Sequence, residues 1–261
     1  MTLARRLLLL AGLVLAFAPA AQATSALDAR LYQPDPLPAR LDWAGMPEPE
    51  TVAVTTEDGV VLKGYRWRAT EPSHVALVFF HGNGGNRYTA AQMAAPLRRP
   101  DADIIVASYR GYGDNPGKPS EDGLYADGRA FVKLARDGAP TRMFLFGYSL
   151  GGAVALRLAG EGAVDGVVTL GTPSSIRALA SPLVRGAIPN RFDSIAAIKQ
   201  VRAPVVLLHG TADELVPLNE AKKLEQAAPD RVTLVRLLGG THHVDLAQIS
   251  VRLWRVLLPG R

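Results

Sequence analysis

Residues 147–151 read Gly-Tyr-Ser-Leu-Gly, so that one serine has a glycine two residues before it and another two residues after it. The pentad lies at the end of an apolar run. A serine becomes a useful nucleophile when a sharp strand-to-helix turn exposes its hydroxyl, and neighbouring glycines give the backbone room for that turn. The pentad alone is a weak signal. Its surroundings strengthen it, because residues 142–146 have the pattern of a buried strand and residues 150–159 that of a helix. The arrangement predicts nucleophilic attack by Ser149 on a carbonyl carbon.

Such a nucleophile needs an imidazole to take its proton and an acid to orient the imidazole. Downstream, Asp213 lies on a small-residue turn after the apolar run 204–209. After the next apolar run, Gly-Gly-Thr is followed by His242 and His243. We expect Asp213 to be the acid and His242 the base, because a helix beginning after His243 would turn that ring away from the serine.

Other residues compete for these two roles. Glu214 is next to Asp213, and Asp245 is close to the histidines. We expect Asp245 to lie in the first turn of the last helix, where an acid stabilises the helix dipole. His209 ends its own strand beside a glycine, and we interpret it as structural.

Attack on a carbonyl creates an oxyanion, which is stabilised by preorganised donors. The helix that begins after Ser149 presents the backbone amide of Leu150. A second donor is expected after an earlier strand, in the glycine-rich stretch 81–86, His-Gly-Asn-Gly-Gly-Asn, where we choose the amide of Asn83. A phosphate-binding loop is not favoured there, since the stretch lacks G-x-G-x-x-G spacing.

The elements that must position these residues alternate along the chain. Short continuous apolar runs are typical of parallel strands covered on both faces, and they alternate with stretches of helical spacing. The predicted strands are 75–80, 104–109, 143–146, 166–170, 205–209 and 232–238, and the predicted helices are 88–98, 120–136, 150–160, 217–227 and 244–257. This order predicts one α/β domain with a mostly parallel, doubly wound sheet. Residues 51–56 and 60–67 flank a turn and predict an antiparallel hairpin at its start.

Two segments depart from that alternation. Residues 24–50 contain five prolines and no periodicity, which predicts an irregular lead-in. The alternation lapses again over about 174–201, where we expect a small cap or lid, with an inert insertion as the alternative. The α/β domain would then span residues 51–261.

Residues 1–23 have the features of a secretory signal peptide. Arg5 and Arg6 precede an apolar run of about a dozen residues, and Ala-Gln-Ala at 21–23 fits a cleavage site. The run is short for a membrane span, although an uncleaved anchor remains the alternative. Export without any cysteine predicts a periplasmic or secreted bacterial protein that is stabilised by its core alone.

Composition narrows the possible partners. The formal net charge is +5, and removing residues 1–23 takes two arginines and no acid, leaving 27 basic and 24 acidic residues, or +3. This modest surplus does not argue for nucleic acid. The absence of cysteine excludes thiol nucleophiles and Cys-ligated metals, and the five histidines lack ligand spacing. We therefore expect no cofactor or metal and a small-molecule acyl substrate, with no obligatory membrane insertion after cleavage; the oligomeric state stays open.

From about Thr51 onward the chain resembles the α/β-hydrolase superfamily, and more narrowly its short-capped serine hydrolases of the acyl-protein thioesterase-like and Bem type. Five motifs carry the resemblance: HGNGGN (81–86), YRGYGDNPGKPSEDGLYAD (109–127), GYSLGG (147–152), HGTADELVP (209–217) and GGTHH (239–243). It implies Ser149 as nucleophile, Asp213 as acid and His242 as base, with Asn83 and Leu150 as oxyanion donors.

The chain departs from this branch in two places. His243-Val244 stands where relatives have Asn-Asp, and Gly-Thr-Pro at 171–173 stands where many have Ser-Pro-Phe. The second segment helps to wall the acyl pocket, so relatives say little about the substrate. We assign the tyrosines and Arg110 of Tyr-Arg-Gly-Tyr-Gly at 109–113 to bracing the sheet edge, with contact to the substrate as the alternative.

Three functions are consistent with these residues. The first is a serine hydrolase that cleaves carboxylic esters or thioesters. The second is a peptidase using the same triad, although the short insertion offers only Asp193 as an acidic anchor for a peptide amine. The third is a catalytically silent envelope binding protein, which no missing triad member supports.

Overall fold

The computed structural model describes residues 31–71, 75–179 and 192–258. The predicted signal peptide at 1–23 and residues 180–191 of the predicted cap lie outside the described residues.

An eight-stranded sheet forms the centre of the fold. Its strands are β2 (Glu50–Thr55), β3 (Val61–Trp67), β4 (Val75–Phe80), β6 (Ala102–Val106), β7 (Arg142–Tyr148), β8 (Gly166–Leu170), β9 (Val205–Gly210) and β10 (Val232–Leu237). Across the sheet they lie in the order β10-β9-β8-β7-β4-β6-β3-β2. β2 pairs antiparallel with β3 and β3 antiparallel with β6, whereas the remaining pairs are parallel. The predicted α/β-hydrolase architecture, a mostly parallel sheet with an N-terminal antiparallel hairpin, is confirmed.

Helices cover both faces of this sheet. They are α1 (Arg87–Ala94), α2 (Glu121–Asp137), α3 (Leu150–Glu161), α4 (Ile176–Leu179), α5 (Ser194–Gln200), α6 (Leu218–Ala227) and α7 (Ser250–Leu257). Every residue of β4, β8 and β9 is buried, which explains why these strands appear in the sequence as continuous apolar runs. One core cluster includes Phe131 and Leu156 of α2 and α3. The cluster on the other face includes Trp254 of α7.

Local capping sets where two of these helices begin. Ser120 accepts a hydrogen bond from the Gly123 amide, and acids follow in the first turn of α2, as predicted. Asn86 caps α1 by accepting from the amides of Tyr88 and Thr89. Asn86 is also the last residue of the glycine-rich stretch 81–86, so the cap fixes where that loop ends.

The single last helix predicted over 244–257 is wrong. The structure has a 3-10 turn at Leu246–Gln248 and then α7, which begins at Ser250. The Asp245 side chain accepts a hydrogen bond from the Ala247 amide and so starts the turn separately. The predicted capping role of Asp245 is therefore seen, but on the turn.

The lead-in is not wholly irregular in its described part. Gln33–Pro34 forms β1, which pairs in parallel with β5, Gly84–Gly85, inside the glycine-rich loop. Trp43 packs edge-on against Tyr65 and Tyr88, so the lead-in also covers α1. The sequence pattern did not show β1, because two residues, one of them proline, are too few to form an apolar periodicity.

The described ends of the predicted cap region lie close to the main layers. α5 packs against α3 and α6, and Ile198 belongs to the core. Before α4, the Ser174 hydroxyl donates to the buried carboxylate of Glu220 on α6. Both ends of the insertion are thus tied to the sheet's own helices.

Candidate active site

Ser149 occupies a strained turn between β7 and α3. Its φ of 52° and ψ of −117° lie outside the conformations that most residues adopt. Glycines make the turn possible: a Cβ at Gly147 would collide with the Gly151 carbonyl, and one at Gly151 would collide with the Phe80 carbonyl. The neighbouring strand and helix thus hold the serine backbone in one geometry.

The structure brings together Ser149, His242 and Asp213, the three residues predicted to form the triad. His242 Nε2 is 3.0 Å from Ser149 Oγ, and His242 Nδ1 is 2.7 Å from Asp213 Oδ2. With the imidazole neutral, Nδ1–H donates to the Asp213 carboxylate, and Nε2 accepts a hydrogen bond from the Ser149 hydroxyl. His242 and Asp213 are each only 7% exposed. The order hydroxyl, imidazole, carboxylate is the one that activates a serine.

Asp213 is held by its own loop after β9. Its Oδ1 accepts hydrogen bonds from the amides of Leu215 and Val216, at 2.9 and 2.8 Å. Burial alone would raise the pKa of this carboxyl, but the hydrogen bonds from His242 and the Val216 amide outweigh burial and keep the pKa below its usual value. The carboxylate is therefore ionised when it meets the imidazole. His209 Nε2 lies 2.8 Å from the Val216 carbonyl oxygen and secures the same loop, consistent with a structural role.

The other candidates for the base and acid are not part of this chain of hydrogen bonds. His243 is exposed, and its Nδ1 is 2.9 Å from the hydroxyl of Tyr148. Glu214 is exposed as well, next to the buried Asp213. The Asp193 side chain caps α5 by accepting from the Ala196 amide.

The two predicted oxyanion donors flank the serine. Leu150 is the first residue of α3, where helix amides have no intrahelical acceptor. Asn83 follows Gly82, at which a Cβ would stand 3.3 Å from the Cβ of Ser149. The loop thus passes directly beside the serine. Gly171, with a φ of 62°, approaches the other side of the site, since a Cβ there would lie 3.0 Å from the His242 ring.

Two tyrosines that we assigned to the sheet edge contact the loop bearing Asn83 instead. Tyr112 donates to the Asn83 carbonyl at 2.7 Å, and Tyr109 donates to the His81 carbonyl at 3.2 Å. Only Arg110 of that motif acts as a brace, through Asp127. The sequence did not show these contacts, because they depend on the pairing of β6 with β4, which brings the segment after β6 beside the loop after β4.

Thr172 is a further residue that sequence reasoning missed. Its hydroxyl donates to the Ser149 carbonyl at 3.1 Å, and its side chain fills the space beside Gly152. It lies in the Gly-Thr-Pro segment, which the sequence marked only as a departure from relatives.

Within the described ranges, no cluster of three His, Cys, Asp or Glu side chains is placed to hold a metal ion. The same ranges contain no helix long and apolar enough to cross a membrane.

A serine on a strained strand-to-helix turn of a mostly parallel sheet, with an imidazole and a carboxylate from two later strands, is the arrangement of the α/β-hydrolase class. A family model described as alpha/beta hydrolase fold matches residues 75–197. The chain belongs to the α/β-hydrolase family, which confirms the resemblance.

Three comparisons illustrate the relationship. The alpha/beta hydrolase domain-containing protein 17C of Xenopus laevis is 30% identical over 226 residues, covering 79% of this chain and 70% of that protein. Protein bem46 of Schizosaccharomyces pombe is 30% identical over 188 residues, covering 65% and 62%. The structure of the Pyrococcus furiosus esterase Pf2001 superposes with a TM-score of 0.70 at 20% identity, covering 87% of this chain and 95% of that chain. That last likeness shows the fold alone.

Proposed function

We propose that this hydrolase is a serine esterase or thioesterase that works through an acyl-enzyme intermediate, with Ser149 as nucleophile, His242 as base and Asp213 as acid. The observation that carries the proposal is the 3.0 Å approach of His242 Nε2 to the hydroxyl of the strained serine. The esterase named among the structural neighbours is consistent with it.

Acylation begins when Ser149 Oγ attacks the carbonyl carbon of the substrate and its proton passes to His242 Nε2. Asp213 stabilises the imidazolium through Nδ1–H without taking the proton. The tetrahedral oxyanion accepts hydrogen bonds from the amides of Asn83 and Leu150. Collapse breaks the bond to the leaving group, and the imidazolium protonates the departing alcohol or thiol.

Deacylation repeats this proton path with water. His242 Nε2 takes a proton from the water as its oxygen attacks the acyl carbon. The second tetrahedral intermediate collapses, the bond to Ser149 Oγ breaks, and the serine recovers its proton from the imidazolium. The product is the free carboxylic acid, and the ionised Asp213 is unchanged throughout.

Labelling by a fluorophosphonate probe tests the nucleophile. The wild-type protein is expected to be labelled and Ser149→Ala to be silent. Ser175→Ala is the matched control. Ser175 lies in the loop after β8, and the hydrogen bond that the structure describes for its hydroxyl is accepted from the Ala178 amide. Equal labelling of wild type and Ser149→Ala would end the proposal.

A series of nitrophenyl esters from acetate to palmitate defines the acyl chain. We expect short to medium chains to be preferred, because the insertion at about 174–201 is small. A palmitate optimum contradicts that expectation. Faster turnover of aminoacyl-nitroanilides than of short esters would favour the peptidase instead.

A further inference from the structure

The last helix, α7, presents an exposed face that combines cations with aliphatic side chains. Residues 251, 252, 255 and 256 lie within one side of the helix, since each residue advances the helix by about 100°. Arg252 and Arg255 occupy the middle of this side, and Val251 and Val256 its edges. Both valines are well exposed, at 65% and 50%. The opposite side is buried and includes Leu253 and Trp254, so the helix is anchored to the fold through that side.

A hollow continues this face toward the 3-10 turn Ala95–Leu97. It has a volume of about 290 Å³, and Arg98 and Arg255 lie on its wall together with Ser250 and Val251. Trp254 fixes the two walls relative to each other, because its Nε1 donates to the Leu97 carbonyl at 2.9 Å. The hollow is therefore built from packed elements. We call Arg98, Val251, Arg252, Arg255 and Val256 the arginine face.

The cations of the arginine face have no acidic partner in the described part of the chain. No described carboxylate lies within salt-bridge distance of Arg98, Arg252 or Arg255. Arg99 also lines the hollow, but Asp101 pairs with it at 2.7 Å. Arg98 lies over the Trp67 ring at 5.7 Å, but none of the three guanidinium groups has a described carboxylate partner, and their positive charge attracts anions.

We propose that the arginine face docks this protein onto the surface of an anionic phospholipid bilayer, a binding role separate from hydrolysis. Guanidinium groups pair with phosphate oxygens through parallel hydrogen bonds, and the hollow gives a headgroup access to Arg98 and Arg255. The two exposed valines favour a bilayer over free phosphate, because a bilayer offers apolar acyl chains beside its phosphates and free phosphate does not. The attachment is peripheral, with α7 lying against the headgroups.

Vesicle flotation of the full chain tests the proposal. One set of vesicles is phosphatidylcholine alone, and the other is an equimolar mixture of phosphatidylcholine and phosphatidylglycerol. Binding to the anionic vesicles is expected, and added NaCl should weaken it, since salt screens exposed charges. The predicted signal peptide at 1–23 has its own arginines and apolar run, so every comparison is between variants that share it.

Arg252→Gln/Arg255→Gln should weaken partitioning onto anionic vesicles on the order of 30-fold, as expected for two cations near such a surface. Arg202→Gln/Arg231→Gln is the matched control, because both are exposed arginines that precede β9 and β10 and lie outside α7. Val251→Ser/Val256→Ser keeps the charges and should still weaken binding. Unchanged ester turnover and thermal unfolding identify folded variants.

Three results would overturn the proposal: equal binding to both kinds of vesicle, equal loss in the α7 variant and the control, or full competition by inorganic phosphate with no effect of the valine substitutions. The last would identify a site for the free anion. None of these results depends on Ser149, so failure here leaves the proposed hydrolase activity unaffected.

Discussion

The hydroxyl of Thr172 donates a hydrogen bond to the carbonyl oxygen of Ser149 across 3.1 Å, linking the loop after β8 to the strained turn. The same carbonyl also accepts from the Gly152 amide, so two donors hold the serine's peptide plane. A residue with a φ of 52° keeps that conformation only when its surroundings impose it.

Replacing Thr172 by valine keeps the shape and removes this donor. We expect kcat for ester hydrolysis to fall about fivefold to tenfold, the effect of one hydrogen bond, with KM nearly unchanged. Thr172→Ser, which retains the hydroxyl, should recover most of the rate. Steady-state kinetics with a short nitrophenyl ester make the measurement. A rise in KM at constant kcat would place Thr172 in the acyl pocket instead.

The two neighbouring histidines should differ sharply when each is replaced by glutamine. His242→Gln removes the base and should lower kcat by several orders of magnitude. His243→Gln removes the contact with Tyr148 and the edge-on contact with the His242 ring. It leaves the hydrogen bonds of His242 to Ser149 and Asp213 in place, so it should retain activity within about tenfold of wild type. Fluorophosphonate labelling rates under identical conditions compare both. Comparable loss in the two variants would show that His243 takes part in the reaction.

Sequence patterns predicted the strands, and also the three residues that the structure brings together as a candidate triad, because each depends on local composition. A buried parallel strand needs a continuous apolar run, and a strained turn needs glycine, so both leave a pattern that can be recognised in the sequence. The contacts of Thr172, Tyr109 and Tyr112 leave none, because they join residues that only the sheet order brings together. Likewise, β1 was missed since its partner, β5, is far along the chain and both strands have two residues.

Tyr112 is expected to position the oxyanion loop. Tyr112→Phe removes the hydrogen bond to the Asn83 carbonyl while keeping the buried ring. We expect kcat to fall several-fold, because Asn83 then holds its amide less firmly toward the oxyanion. A phosphonate that mimics the tetrahedral intermediate should lose affinity by the same factor, whereas a ground-state substrate analogue should not. Equal losses for both ligands would mean that the tyrosine only stabilises the fold.

Tyr125→Phe provides the control for that substitution. Tyr125 donates to Glu121 within α2, and the ring contacts described for it are with Phe192 and Arg157, not with residues 81–86. Its replacement should leave kcat and the affinity for the phosphonate unchanged.

His81 makes stability depend on pH. Burial lowers the pKa of His81 to about 4, from an ordinary value of 6.5. The unfolded chain therefore takes up the proton first as the pH falls below 6.5, and stability decreases until the folded pKa is passed. The free energy of unfolding of wild type, relative to His81→Asn, should fall by on the order of 2 kcal/mol between about pH 7.5 and about pH 4.5. Urea unfolding at both values makes the measurement, and parallel curves for the two proteins would contradict it.

Arg110 should stabilise the fold by compensating a buried acid. Its Nε donates to Asp127 at 2.8 Å, and its two terminal nitrogens pair with the more exposed Asp58. Asp127 is fully buried, and burial raises its pKa despite the guanidinium. Arg110→Met leaves that carboxylate without a counter-charge, and breaking a buried pair in this way costs about 3–5 kcal/mol.

Two further variants separate the lost charge from lost packing. Arg110→Met/Asp127→Leu removes both partners and should recover much of the stability, because no unpaired charge remains. Asp58→Asn should cost far less, since Asp58 is close to solvent. Urea unfolding at neutral pH measures all three. If the double variant is no more stable than Arg110→Met, Arg110 stabilises the fold through the packing of its side-chain carbons. Neutralising the charge of Asp127 then contributes little to stability.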